Sequence, residues 1–141
     1  LPHLRQSGRG SIVVVSSVQA HGTQTGVPAY AASKGALDAL VRAMALDEAL
    51  TGVRVNAVCP GSVDTPMLRA SARRFSDGSP AAEDEVVASW GRMHPMGRVA
   101  APHEVAEVVA FLAGGRASFI TGEDIRVDGG LLASLPIVLP D

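Results

Sequence analysis

Hydrophobic patterning starts at Ser11 to Ser17, where "SIVVVSS" sets an unbroken valine-rich run between Gly10 and a polar loop. Such a run fits a strand buried on both faces of a parallel sheet, because alternation is needed only where one face meets water. From Tyr30 to about Leu50 the period changes. Leu37, Leu40, Val41 and Met44 follow helical spacing, while Ala32, Ala36, Ala39 and Ala43 form a second, small-residue side. Apolar on two sides, this helix is predicted to be buried on more than one. Gly52 stops it, and "VRVNAVCPG" predicts a second strand ending in a Pro-Gly turn.

The stretch from Ser62 to about Gly97 is polar and reads as an irregular lid, with a helix start after Pro80 where acidic residues suit the helix dipole. In "PHEVAEVVAFLAGG" a proline opens a helix, Val105, Val108, Val109 and Leu112 make its stripe, and glycines close it. "EDIRVDGG" predicts a third short strand, and "LLASLPIVLPD" is an apolar tail broken by prolines. At the other end, "LPHLRQSGRG" reads as the end of a helix running into a loop. Strands alternating with helices imply parallel pairing with right-handed crossovers, an α/β layer structure.

Composition narrows the function classes. The 141 residues are one domain's worth of chain, with a net charge of −2 and 4% aromatics, so no nucleic-acid footprint is present. No basic face or membrane-length apolar run points to a bilayer. One cysteine, Cys59, leaves no internal disulfide and fits a reducing, cytoplasmic compartment. His3, His21, His94 and His103 are scattered without metal-ligand spacing and read as solvent or loop residues; no metal is expected. Nothing resembles a signal or transit peptide, and a start at Leu1 suggests a missing upstream segment.

In open α/β sheets, ligands bind beyond the carboxyl ends of the strands. Ser16 and Ser17 end the first strand and Pro60-Gly61 the second, while Tyr30 and Lys34 stand four residues apart at a helix start. A phenol ordinarily releases its proton only near pH ~10, and a neighbouring ammonium favours the phenolate. Singly, each feature has a plain structural explanation: a strand end, a helix face with a snorkelling lysine, a turn. Together they point to one active site. The loop "GTQTG" lacks the Gly-Lys-Ser/Thr ending of a phosphate cradle. Asn56 reads as structural, and Asp64 and Arg69 as solvent-facing.

These motifs resemble the C-terminal half of the short-chain dehydrogenase/reductase family, close in pattern to its 3-oxoacyl-carrier-protein reductase type. The resemblance rests on "YAASK" (Tyr30 to Lys34), a serine thirteen residues earlier (Ser17), "NAVCPG", Thr65 in "GSVDTPM", and "ITGEDIRVDGG", in the expected order and spacing. It implies the C-terminal part of a Rossmann-like, doubly wound parallel sheet in three αβα layers, with residues 1–141 forming one half-domain. It also implies hydride transfer between NAD or NADP and a carbonyl or alcohol carbon of a small molecule. Tyr30 would be the general acid/base. Lys34 would lower the cost of its phenolate and hold the nicotinamide ribose, and Ser17 would hold the substrate oxygen. Pro60, Gly61, Val63 and Thr65 would line the nicotinamide. Ala20 departs from the family's glycine three residues after the serine. The family's glycine-rich turn, its adenosine-binding residue, its Asn-Ala-Gly segment and its helix asparagine are expected upstream of Leu1, so this chain alone would bind no dinucleotide securely. A homo-oligomer, dimer or tetramer, is expected, with the alanine side of the helix and the Leu131 to Leu139 tail at interfaces. The contrasting reading is a non-enzymatic fragment that persists through self-association.

Overall fold

The computed structural model describes residues 1–135. Helix α1 (Pro2–Ser7) leads into strand β1 (Ser11–Val15), and a 3-10 turn over Val18–Ala20 precedes the long helix α2 (Pro28–Glu48). Strand β2 (Arg54–Pro60), helices α3 (Pro66–Arg73), α4 (Pro80–Gly91) and α5 (Pro102–Ala113), and strand β3 (Asp124–Val127) follow. The three strands are parallel in the order β1-β2-β3, with Ser11 opposite Arg54 and Ala57 opposite Asp124. This is the expected α/β arrangement.

The period-2 geometry of a strand divides the core in two. Val55, Ala57 and Cys59 of β2 point toward α2 and pack with Val41 and Ala45, and Ile12, Val14 and Met44 surround them. Val58 points to the other face, against Val105 and Leu112 of α5, with Val13, Ile125 and Val127 beside it. Helices therefore cover both faces of the sheet at β2. Strand β1, at the edge of the described sheet, is only half-buried over Ser11–Val14 and exposed at Val15, short of the full burial its valine run predicts. Between the layers at the amino-terminal end, Asn56 is fully buried and donates to Ile120 O while accepting from Glu123 N–H. That is the structural role expected of it.

Helix α2 begins at Pro28 and ends at Glu48, before a 3-10 turn over Ala49–Thr51. Gly52 then takes φ 78°, and any Cβ there would collide with Gly8 O, so a side chain is doubly excluded. The alanine side of α2 is exposed at Ala32, Ala36, Ala39 and Ala43, and Leu40, expected in the buried stripe, is 49% exposed.

The segment 62–97 is not irregular. It holds two helices packed on each other, the first of which buries only Ala72. Thr65 caps α3 by accepting from Leu68 N–H, and Ser79 caps α4 by accepting from Ala82 N–H. Ion pairs join them: Arg69 to Asp84 at 2.9 Å and Arg73 to Glu83 at 2.7 Å. Phe75 and Trp90 meet edge to face with centroids 6.2 Å apart. Asp64 and Arg69 are not simply solvent-facing either. They form a half-buried bidentate pair at 2.6 and 2.8 Å, and the guanidinium holds the Asp64 carboxyl below the usual carboxylate range. Of the apolar tail, only residues 131–135 lie within the described residues.

Candidate active site

At the carboxyl end of β1 the chain turns outward. Ser16 is pinned by its hydroxyl, which donates to Lys34 O at 3.2 Å, so the strand end and the first turns of α2 are tied together. Ser17 comes next, 7% exposed and capping the 3-10 turn: its Oγ accepts from Gln19 N–H at 3.2 Å. A hydroxyl that accepts this way keeps its own proton to donate, and among the described residues nothing takes it.

Pro28 occupies the first helical position of α2, which brings Tyr30 into the first turn and Lys34 one turn further along the same side. Tyr30 is 43% exposed, turned toward solvent and not into the core. The Lys34 ammonium donates to Val15 O at 3.0 Å and stands 5.6 Å from the centre of the Tyr30 ring. That contact is within cation–π range and holds the positive charge beside the phenol. An ammonium has three donors, and one carbonyl leaves two of them available.

The third segment is the turn after β2. Gly61 N–H donates to Val127 O at 3.0 Å, which moors the turn to β3. Val63 pairs with Ala100 in a parallel bridge through Asp64 N–H to Ala100 O and Ala100 N–H to Ser62 O, both 2.9 Å. That bridge leaves the N–H and C=O of Val63 itself uncommitted, while its side chain packs into the core under α5. Thr65 Oγ1 accepts from Leu68 N–H and can still donate.

Pro60 is buried at the end of β2, and Gly61 is tightly enclosed: a Cβ would lie 2.8 Å from His94 Nε2 and 3.1 Å from Asp128 Cα. His94 lies in the loop after α4, as expected from its place in the sequence, but it does not face solvent. It is 3% exposed, accepts from Ser62 N–H at Nε2 (3.2 Å) and meets Trp90 O at Nδ1 (3.0 Å). A carbonyl on one nitrogen and an N–H on the other assign the neutral tautomer with its proton on Nδ1. His94 thus supports the backbone of the turn bearing Gly61, Val63 and Thr65. Its contact spans 32 residues of sequence and carries no local signal. Asp38 is a second residue that the sequence reading missed, and it did carry a signal: an acid on the buried α2 face, in line with Val41 and Ala45.

The donor set fits the nicotinamide end of a dinucleotide. Tyr30 and Lys34 offer a phenol and two ammonium donors, and the 61–65 turn offers uncommitted backbone groups and a hydroxyl. Among the described residues no glycine-rich turn links a strand to a helix in the manner of a pyrophosphate site.

Comparison with known proteins gives the class: the chain belongs to the short-chain dehydrogenase/reductase family, and the family model described as enoyl-(acyl carrier protein) reductase matches residues 1–132. Cis-4-hydroxycyclohexanecarboxylate dehydrogenase of Sinomonas cyclohexanicum is 41% identical over 133 residues, covering 94% of this chain and 49% of that protein. The ligand-free aldohexose dehydrogenase of Thermoplasma acidophilum superposes with a TM-score of 0.95 at 44% identity, over 99% of this chain and 55% of that one. A structure of ElxO with NADP bound superposes with a TM-score of 0.81 at 28% identity, over 95% and 51%. The chain therefore spans about half the length of the relatives it matches. These matches bear on the family and not on the 3-oxoacyl-carrier-protein reductase type within it.

Proposed function

We propose that this chain is the catalytic portion of an NAD- or NADP-dependent oxidoreductase acting on a carbonyl or alcohol group of a small molecule. The observation that carries the reading is the Lys34 ammonium, held by Val15 O at 3.0 Å and 5.6 Å from the Tyr30 ring at the carboxyl edge of the sheet. When bound, the nicotinamide supplies or accepts the hydride. The residues of this chain manage the oxygen and its proton. In reduction, Ser17 donates a hydrogen bond to the substrate oxygen, and Tyr30 gives that oxygen its proton as the carbon is reduced. The Lys34 charge stabilises the phenolate left behind. Oxidation runs the same proton path backward. The two free donors of Lys34 would hold the ribose hydroxyls, and Pro60, Gly61, the Val63 backbone and Thr65 would line the nicotinamide.

The bound NADP of ElxO supports the cofactor class. The names of the hydroxycyclohexanecarboxylate and aldohexose dehydrogenases support a small hydroxylated substrate or the ketone made from it. A buried, unpaired Cys59 supports a cytoplasmic setting, and among the described residues no helix is long and apolar enough to cross a membrane.

Tyr30→Phe in the full-length protein is the direct test, because it removes the transferable proton and keeps the ring. Turnover should fall by ~10²–10⁴-fold while cofactor affinity changes little. Near-normal turnover would mean that another group supplies the proton.

A further inference from the structure

On the α2 side of the sheet, three donor groups of different chemistry meet from three separate elements. His21 follows the 3-10 turn that Ser17 caps, Asp38 lies within α2, and Cys59 is the last residue but one of β2. One ligand atom from each lies within 4.8 Å of the others. His21 Nε2 is 3.3 Å from Asp38 Oδ2, and Cys59 Sγ is 3.9 and 3.8 Å from the two Asp38 oxygens. Asp124, which opens β3, brings Oδ1 to 3.6 Å from the same His21 nitrogen.

The Asp38 carboxylate is the group that needs an explanation. Its side chain is 4% exposed, and its hydrogen-bonding partner among the described residues is a thiol, the weakest donor in the side-chain inventory. Buried carboxylates are ordinarily met by N–H or O–H donors or by a cation. Here the imidazole approaches at ion-pair distance, and among the described residues no backbone N–H reaches the carboxylate.

We propose that His21, Asp38 and Cys59 bind one divalent cation of zinc or cobalt type, with Asp124 beside the imidazole as an outer carboxylate. Ligands about 2.0–2.3 Å from a tetrahedral ion stand about 3.3–3.6 Å apart, so the His21–Asp38 separation of 3.3 Å already fits and the nearer Asp38–Cys59 separation of 3.8 Å needs to contract by only a few tenths of an ångström. One nitrogen, one sulphur and carboxylate oxygens suit borderline-soft ions and not magnesium or calcium. The imidazole is one-third exposed, which gives an ion its way in, and Arg42 Nη1 lies 3.8 Å from the far oxygen of Asp124 as an outer partner.

Cys59 is a buried free thiol, and a thiol must give up its proton to ligate a metal. Binding therefore exchanges the S–H bond for a metal–thiolate bond and releases one proton to solvent, with no change of oxidation state. The titratable and charged groups around the ion are His21 after the 3-10 turn, Asp38 and Arg42 on α2, Cys59 on β2 and Asp124 on β3. A bound ion would tie the turn that carries Ser17 to α2 and to β2.

Cobalt(II) added to the chelator-treated, full-length protein is the probe. One equivalent should produce a thiolate-to-cobalt charge-transfer band in the near ultraviolet, and zinc should abolish it. Affinity should rise with pH. Cys59→Ser should remove the band, and His21→Ala, at an exposed position, should weaken binding by at least about 10-fold without unfolding the chain. Folded protein that takes up no cobalt would overturn the site. So would a band that survives Cys59→Ser, or binding indifferent to His21→Ala.

Discussion

Glycine at position 61 is required by what lies against it and not by its backbone angles. A Cβ would fall 2.8 Å from His94 Nε2, and Asp128 Cα at 3.1 Å blocks retreat because it is main chain. Gly61→Ala should therefore push the imidazole off Ser62 N–H and cost about 1–3 kcal/mol, the usual penalty for overfilling a packed site. Denaturant unfolding measures it, and an unchanged midpoint with unchanged slope would count against the account. At this scale the sequence is informative wherever chemistry depends on local spacing. Tyr30 and Lys34 are one helical turn apart, and helix geometry alone puts them together. His94 with Ser62, and His21 with Asp38 and Cys59, are joined only by the fold, so no window of residues displays them. Two buried acids on α2, Asp38 and Glu48, are the exception, because a charge on an apolar stripe stands out in the residue pattern alone.

Element by element, burial decides what the residue pattern can foretell. β1, β2 and α5 each fill a core position with most of their apolar residues, and their patterns announce them. Helix α3 has no such pattern, since "PMLRASAR" buries one alanine and owes its helicity to the Thr65 cap and its arginine pairs. Helix α1 poses a related question, because none of its residues is buried. What fastens it is Arg5, whose guanidinium makes a two-pronged contact with Glu48 at the far end of α2 (Nε to Oε2, 2.7 Å), while Thr51 Oγ1 donates to the same carboxylate at 3.0 Å. Hydrogen bonding from Arg5 lowers the Glu48 carboxyl to about 2. Unfolded, this carboxyl takes a proton near pH ~4.3. Its contribution to stability is thus complete above that pH and disappears as the pH falls toward about 2. Glu104, lowered to about 2 by Arg98 and by the Ala101 N–H, titrates over the same window. Glu48→Gln should therefore reduce, and not abolish, the loss of stability between pH ~4.5 and ~2. A midpoint-versus-pH series on both proteins would show it, and superimposable acid limbs would remove Glu48 from the explanation.

For the molecule as a whole, the open question is what covers its apolar surface. Ala32, Ala36, Ala39 and Ala43 are all exposed and recur at spacings of four, three and four along α2, so they form one seam. Small side chains in such a seam let a second helix come close, and larger apolar groups on the same helix add area: Leu40 is 49% and Leu46 82% exposed. Among the described residues β1 pairs only with β2, so its other edge still has strand donors and acceptors to offer, with Val15 51% exposed at its end. Contiguous apolar surface of this kind usually marks an interface. The expected state is a homo-oligomer in which α2 faces a second copy of itself. Light scattering coupled to size-exclusion chromatography should return a multiple of 14.5 kDa for this chain. Ala39→Glu, which puts a charge in the middle of the seam and leaves Val41 and Ala45 in the core, should shift the population toward the monomer while the circular dichroism of the helices is retained. A folded monomer at micromolar concentration before any substitution would show that α2 needs no partner. An oligomer unaffected by Ala39→Glu would move the interface to the β1 edge.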